Sequence, residues 1–136
     1  MSKLKQEQKI DLVKIANEVR KWAYAPYSNY PVGAALLTAS GRVYDGVNVE
    51  NAAFPVTICA ERTAIFKAVS NGEQDFEAIA VVTRDGGTPC GSCRQVMAEF
   101  NTDMIVIIAN QDEKILSEQK LIDLLPGAFT AKSLGE

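Results

Sequence analysis

Apolar residues recur along this chain with two periods, one typical of helices and one typical of strands. Between residues 5 and 23 they recur every three or four positions, which predicts an amphipathic helix that ends before Pro26. The same period predicts helices over residues 59–70 and 91–100, and a shorter helix over residues 118–125. The pattern therefore predicts helices in four parts of the chain.

Strands are predicted between these helices. Residues 78–82 and 104–109 are continuous apolar runs, which are typical of strands buried on both faces. Residues 32–49 predict a β-hairpin that turns near Gly41, and residues 115–116 predict a short further strand. Because helices alternate with strands, we expect a layered α/β architecture around one mixed sheet.

The overall composition limits the class of protein. The chain has 136 residues, of which 47% are hydrophobic, and this fits one domain spanning residues 1–136. The net charge is -3 and no run of lysine and arginine occurs, which argues against a nucleic-acid partner. No apolar segment follows the first residues, so we expect neither a signal peptide nor a membrane span, and a cytoplasmic location.

Two residue counts, no histidine and three cysteines, narrow the possible chemistry. Without histidine the chain cannot build a Ser-His-Asp or Cys-His arrangement, nor a zinc site with histidine ligands. Acid–base chemistry then depends on a carboxylate, lysine, tyrosine, cysteine or metal-bound water. Three cysteines cannot all pair within one chain, so metal binding in a reducing compartment explains them better than a disulfide framework.

The cysteines lie where two helices are predicted to begin. Cys90 and Cys93, which follow Pro89, are three residues apart, so both sulfur atoms can face one metal ion. Cys59 begins the other helix. Three thiolates can hold Zn²⁺ and leave its fourth position open, which is typical of a catalytic rather than a structural site. Glu61 follows Cys59 by two residues and can then handle the protons of a bound water.

The two residues that follow on this helix have different relations to Cys59. Arg62 is three residues from Cys59 and shares its face. Because three thiolates on Zn²⁺ leave a net charge of about -1, we predict that Arg62 tunes the site by withdrawing part of that charge. Glu61 is rotated by about 200° from Cys59 on an ideal helix. The two can converge only if a substrate lies over the end of the helix.

Each motif alone has a simpler explanation. A Cys-x-x-Cys pair also occurs in structural zinc sites and in redox pairs, and a helical glutamate is usually a solvated charge. The joint pattern is more specific: a cysteine, a glutamate two residues later, and Pro-Cys-x-x-Cys about thirty residues on. The sequence also has no fourth cysteine and no histidine with which to close a structural zinc site.

This joint pattern resembles the short, free-nucleoside cytidine deaminases in their all-cysteine zinc form. The resemblance implies a three-layer α-β-α sandwich around a mixed five-stranded sheet, and hydrolytic deamination of cytidine and deoxycytidine. It assigns one Zn²⁺ to Cys59, Cys90 and Cys93, and proton transfer to Glu61. The segments that carry the resemblance are residues 24–28, 32–36, 48–52, 59–64, 89–96 and 124–129.

The resemblance also implies contacts with the substrate. Asn48 and Glu50 would bind the ribose 3′-hydroxyl; as alternate residues near a strand end they point to one face, although polar residues near turns also occur without a function. The backbone N–H of Ala60 would donate a hydrogen bond to the pyrimidine O2. The carbonyl of Thr88 would accept a hydrogen bond from the departing amino group. Tyr30 stands where the family commonly has a stacking phenylalanine, and its hydroxyl needs a partner.

The family further implies a homotetramer in which Phe54 and Phe129 reach into a neighbouring subunit's site. Composition alone favours a different interpretation, that both are residues of the hydrophobic core. The loop of residues 83–88 is shorter than in many relatives, so the rim of the pocket is not predicted. Three other functions stay open: a deaminase of another aminopyrimidine nucleoside such as blasticidin S, a polynucleotide deaminase, and a non-catalytic zinc module. The acidic composition argues against the second of these.

Overall fold

The computed structural model describes residues 4–135, so residues 1–3 and 136 of the predicted domain lie outside the described residues. The helices are α1 (Gln6–Val19), α2 (Ala60–Ser70), α3 (Gly91–Phe100) and α4 (Leu121–Leu124). The strands are β1 (Gly33–Thr38), β2 (Val43–Val47), β3 (Phe76–Val82), β4 (Ile105–Ala109) and β5 (Ile115–Lys120). Between residues 4 and 135, no helix has the length and apolar character needed to cross a membrane.

The five strands form one sheet in the order β2-β1-β3-β4-β5. Strands β3 and β4 are parallel, and the other three neighbouring pairs are antiparallel. A parallel pair needs a crossover connection, and α3 supplies it between β3 and β4. The predicted mixed five-stranded sheet is confirmed.

Helices cover both faces of the sheet. Alternate strand residues point to opposite faces, so each face has its own set of apolar side chains for a helix to bury. On one face, α1 packs Leu12 and Ala16 against sheet residues that include Ala80. On the other face, α2 and α3 pack against the alternate strand residues, which include Ile79. Ile65 of α2 and Met97 of α3 are fully buried there. The predicted three-layer α-β-α sandwich is therefore confirmed.

Two glycines allow a helix to approach the sheet at backbone distance. A Cβ atom on Gly33 of β1 would lie 2.0 Å from the backbone oxygen of Ala16 in α1. A Cβ atom on Gly46 of β2 would lie 2.5 Å from the backbone nitrogen of Ala64 and 2.7 Å from the backbone oxygen of Ala60. The N-terminal turns of α2 are therefore seated directly on β2, which fixes the position of Cys59 just before them.

The helix predicted over residues 118–125 is wrong in its first half. Residues Glu118 and Lys120 belong to β5, where they pair with Ile107 and Ile105 of β4. Residues in this strand are mostly exposed, as expected for a polar strand at the edge of a sheet. Their hydrogen bonding to β4, and not the burial of one helical face, decides their secondary structure. The helix is limited to Leu121–Leu124, of which Leu121 is buried.

Candidate active site

The three cysteines meet at the N-termini of two helices. Cys59 is the N-cap of α2 and Cys90 is the N-cap of α3, and both have extended backbone conformations. Cys93 lies in the first turn of α3 and is buried. The sulfur of Cys90 lies 3.8 Å from that of Cys59 and 3.5 Å from that of Cys93, and all three sulfurs lie within 4.8 Å of one another.

This spacing fits a zinc ion. Zinc–sulfur bonds of about 2.3 Å at tetrahedral angles place neighbouring sulfur atoms about 3.8 Å apart. The first backbone N–H groups of α2 and α3 have no partner within their own helices, and the positive ends of both helix dipoles favour negative charge there. The donor set therefore suits Zn²⁺, and three protein ligands leave the fourth position for a water or a substrate.

Charge around the thiols is unevenly distributed. The Arg62 Nη2 atom lies 3.4 Å from the sulfur of Cys59, on the shared helix face that the sequence predicted. A hydrogen bond from the Cys93 thiol, aided by the Arg62 guanidinium and opposed by burial, lowers the pKa of Cys59 to about 5. The same hydrogen bond and burial raise the pKa of Cys93. Of Cys59 and Cys93, Cys59 is thus the sulfur that carries the negative charge.

Glu61 is a buried carboxyl group beside the thiol cluster. Only 4% of its surface is exposed, and it lines the same cavity as Cys59 and Cys90. Burial raises the pKa of the Glu61 carboxyl to about 7. Glu61 and Cys59 converge on the space over the end of α2, the arrangement that their spacing on the helix required.

The cavity has a volume of about 320 Å³, at the lower end of the range for small-molecule sites. It brings together most of the residues that the sequence predicted. The predicted residues that line it are Tyr30, Asn48, Glu50, Cys59, Ala60, Glu61, Thr88 and Cys90. Further lining comes from Ser28, Val32, Thr57, Ile58, Val81, Thr83 and Gly87.

Asn48 and Glu50 lie just beyond β2 and are held in place by the backbone around them. Asn48 is 8% exposed, accepts from the N–H of Val32 at 2.9 Å and donates to the oxygen of Tyr30 at 3.0 Å. Glu50 accepts from the backbone N–H groups of Tyr27 and Ser28 at 2.9 and 3.1 Å. Both polar groups are thus oriented before any ligand binds.

Phe54 and Phe129 do not line this cavity. Phe54 is 68% exposed and Phe129 is 57% exposed, so the interpretation of both as core residues is wrong. The Phe54 ring packs edge-on against Tyr27, with ring centroids 5.9 Å apart, beside a second hollow that Glu50 also borders. The Phe129 backbone oxygen accepts from the side chain of Gln95 in α3 at 2.8 Å.

Sequence reasoning assigned no role to Arg94, which supports the metal-binding helix. Its guanidinium donates to the backbone oxygens of Pro89 and Leu124, both at 2.8 Å, and to Oγ1 of Thr88 at 3.3 Å. Arg94 thus joins the entrance of α3 to the C-terminal part of the chain. Its place directly after Cys93 was the available signal, but one of its partners, Leu124, is 30 residues away in the sequence.

Ser28 and Asp85 were also missed. Ser28 donates through its hydroxyl to Glu50 and lines the cavity. Asp85 accepts from the hydroxyl of Tyr30, which supplies the partner that a buried or half-buried tyrosine needs. A serine or aspartate in a turn-rich loop gives no such signal by itself.

The fold and the site together define a class of protein, the zinc-dependent deaminases, in which thiolates at helix N-termini hold the metal beside a carboxyl group that is not a ligand. Residues 6–109 match a family model described as the cytidine and deoxycytidylate deaminase zinc-binding region. The chain belongs to the cytidine and deoxycytidylate deaminase family. The predicted family and the predicted zinc cofactor are thereby confirmed.

Individual proteins of known name are similar over nearly the whole chain. A cytidine deaminase of Sporosarcina psychrophila is 50% identical over 126 residues, which cover 90% of this chain and 92% of the relative. The crystal structure of a cytidine deaminase from Burkholderia pseudomallei has 43% identity and a TM-score of 0.85, covering 93% of this chain and 100% of that chain. A blasticidin-S deaminase of Bacillus cereus is more distant, at 31% identity over 134 residues, 91% of this chain and 94% of the relative.

Proposed function

We propose that this protein hydrolyses cytidine and deoxycytidine to uridine and deoxyuridine, with release of ammonia. One observation carries the proposal: two members of the three-sulfur cluster, Cys59 and Cys90, and the buried Glu61 carboxyl border one cavity, whose volume is in the range of small-molecule sites. The 50% identity to a cytidine deaminase supports the same conclusion.

Cys59, Cys90 and Cys93 would hold the zinc ion through their sulfur atoms. Zinc bound there supplies a nucleophile at neutral pH by making a water molecule more acidic. The Glu61 carboxyl takes up the first proton that this water loses and delivers it to N3 of the pyrimidine, while the water oxygen forms a bond to C4. Glu61 then carries the second proton of that oxygen to the amino group, and the oxygen becomes the C4 carbonyl. The C4–N bond breaks, and ammonia leaves. The guanidinium of Arg62 withdraws charge from Cys59, which keeps the trithiolate site electrophilic.

The other lining residues bind and orient the nucleoside in this proposal. The N–H of Ala60, the first residue of α2, has no partner within its helix and is directed to the pyrimidine O2. The carbonyl of Thr88 accepts from the amino group, and the ring of Tyr30 stacks near the base. Asn48 and Glu50, already fixed by the backbone, bind the ribose 3′-hydroxyl.

The charge of the cavity favours an uncharged nucleoside over a nucleotide. Glu50 and Glu61 both border the cavity, and its lining within residues 4–135 includes neither lysine nor arginine. A phosphate group would therefore meet carboxylates without a compensating cation. The net charge of -3 disfavours a polynucleotide for the same reason.

We also propose that the enzyme is a single-domain, cytoplasmic homotetramer whose sites are completed by neighbouring subunits. The exposed rings of Phe54 and Phe129 support this arrangement, because large exposed aromatic side chains are typical of protein interfaces. Sedimentation of the wild type, Phe54→Ala and Phe129→Ala tests it. A wild-type protein that sediments as a monomer at micromolar concentration excludes the tetramer.

The activity is tested by following ultraviolet absorbance and ammonia release on mixing the zinc-loaded protein with cytidine, deoxycytidine, deoxycytidine monophosphate or blasticidin S. We expect turnover of both nucleosides, and its loss after zinc removal. Faster turnover of blasticidin S would assign the protein to the other aminopyrimidine nucleosides. Stoichiometric zinc without deamination of any of these compounds would identify a non-catalytic zinc module.

A further inference from the structure

Residues 83–88, here called the rim, border the cavity between the end of β3 and the metal-binding helix α3. Oγ1 of the buried Thr83 accepts hydrogen bonds from the backbone N–H groups of Gly86 and Gly87, at 2.7 and 2.8 Å. The side chain of Thr83 thus closes the rim into a compact turn. Thr83, Gly87 and Thr88 all line the cavity, so the position of the rim sets part of its shape.

Two adjacent rim residues, Arg84 and Asp85, form hydrogen bonds with Asn29 and Tyr30. The hydroxyl of Tyr30 donates to Oδ1 of Asp85 at 2.5 Å. Nη1 of Arg84 donates to the backbone oxygen of Asn29 at 3.3 Å, and its guanidinium lies 5.0 Å from the centroid of the Tyr30 ring. The Tyr30 hydrogen bond lowers the pKa of Asp85, as expected for a neutral phenol that donates to a carboxylate.

The rim is also packed tightly on both sides. A Cβ atom on Gly87 would lie 2.9 Å from the Tyr30 hydroxyl oxygen, so the backbone of Gly87 rests directly against the phenol. A Cβ atom on Gly86 would lie 2.3 Å from Cδ1 of Leu116 in β5. Gly86 has a φ of +85°, which a glycine adopts without strain. The rim is therefore held between Tyr30 and the last strand of the sheet.

We infer that the Tyr30 hydroxyl is a positioning group, which holds the rim in its substrate-binding position through Asp85 and Gly87 before a nucleoside arrives. The inference rests on the proposed function, since it assigns the rim to the nucleoside site. A phenylalanine at residue 30 would keep the ring and lose the hydrogen bond. If the rim is in its substrate-binding position for only a fraction of the time, the apparent affinity for the nucleoside falls by that fraction. The complex, once formed, reacts at an unchanged rate.

Two variants remove opposite ends of the hydrogen bond: Tyr30→Phe removes the donor, and Asp85→Ala removes an exposed acceptor. In each we expect KM for cytidine to rise about threefold to tenfold and kcat to stay within about twofold. Exchange of the rim amide hydrogens with deuterium, measured by mass spectrometry, should accelerate. The double variant should resemble Asp85→Ala, because that change already deletes the acceptor of Tyr30 together with a longer contact, at 3.5 Å, from the Thr83 hydroxyl.

The matched control is Tyr44→Phe. It removes a hydrogen bond of the same chemistry, from the Tyr44 hydroxyl to Glu73 at 2.6 Å, and neither of these residues lines the cavity. We expect KM and rim exchange of this control to match the wild type.

An unchanged KM or an unchanged rim exchange in both test variants overturns the inference, and so does an equal effect in the control. Failure of the proposed function is a separate result. If the wild type deaminates no nucleoside, that function is wrong, and the exchange measurement alone decides the role of Tyr30: unchanged exchange overturns it and faster exchange supports it.

Discussion

The Arg62 guanidinium contacts the sulfur of Cys59 at 3.4 Å, three residues apart on one face of α2. A cation at this distance favours the thiolate form of Cys59 and offsets the negative charge that three thiolates place on a divalent ion. The proposal that Arg62 tunes the electrophilic strength of the metal site rests on this contact.

Replacing Arg62 by alanine should weaken the site while leaving its three sulfur ligands in place. We expect a loss of about tenfold to a hundredfold in zinc affinity or in kcat, the range for residues that support metal ligands. Competition with a chelator measures the affinity, and cytidine turnover measures kcat. Arg42→Ala, at an exposed residue directly before β2, is the control. An unchanged affinity together with an unchanged kcat would show that Arg62 does not tune the metal.

Replacing Glu61 by glutamine should separate metal binding from catalysis. The glutamine keeps the shape of the side chain but cannot carry the proton, so we expect turnover to fall by about a thousandfold or more. Zinc content, measured by atomic emission, should stay at one ion per chain because Glu61 is not one of the sulfur ligands. Glu99→Gln, which changes an exposed carboxyl on α3, should keep normal turnover. Near-normal turnover of Glu61→Gln would falsify the assigned role.

Removal of zinc should destabilise the fold, because the ion links the N-termini of α2 and α3. Binding at about a hundred to a thousand times the dissociation constant stabilises a folded protein by about 3–4 kcal/mol. For a chain of this size that corresponds to a fall in Tm of about 10 °C or more on chelation. Scanning calorimetry measures the fall, and added zinc should reverse it. The Cys59→Ser variant should show a much smaller response, and an equal response would place the ion elsewhere.

Glu73 should make the stability of the fold depend on pH, far from the cavity. Hydrogen bonds from Ser40 and Tyr44 hold the pKa of Glu73 below its ordinary value of 4.5. A carboxyl whose folded pKa is depressed contributes stability above its unfolded pKa, and loses it as the pH falls through the folded pKa. The difference in free energy of unfolding between wild type and Glu73→Gln should therefore be constant near neutrality and shrink below about pH 4.5.

Urea unfolding at a series of pH values measures this difference. Glu77→Gln, which changes an exposed carboxyl on β3, is the control. A difference between wild type and Glu73→Gln that persists at low pH would show that the hydrogen bonds to Glu73 do not depend on its charge.

Local sequence signals predicted the clustering of the three cysteines well. Proline and glycine around Cys90, and the apolar period after Cys59, marked two helix starts, and the structure places both cysteines at N-caps. The mixed five-stranded sheet and the three layers were likewise predicted, from the alternation of elements and from the family resemblance, but the order of the strands was not. These features depend on neighbouring residues or on motifs that stand close together in the sequence.

Features that depend on remote partners were not predicted. Tyr30 and Asp85 are 55 residues apart, and only folding brings the rim against the phenol. Glu118 and Lys120 have helix-forming side chains, yet pairing with β4 makes them part of an edge strand. In both cases tertiary contacts, which no local pattern records, decide the outcome.

Strand β3 runs between the two segments that supply the sulfur atoms, since α2 leads into it and α3 follows it. It also lies at the centre of the sheet, between β1 and β4. An ion held by the three thiols therefore closes a loop of the chain, from Cys59 to Cys90, that contains the whole of this central strand.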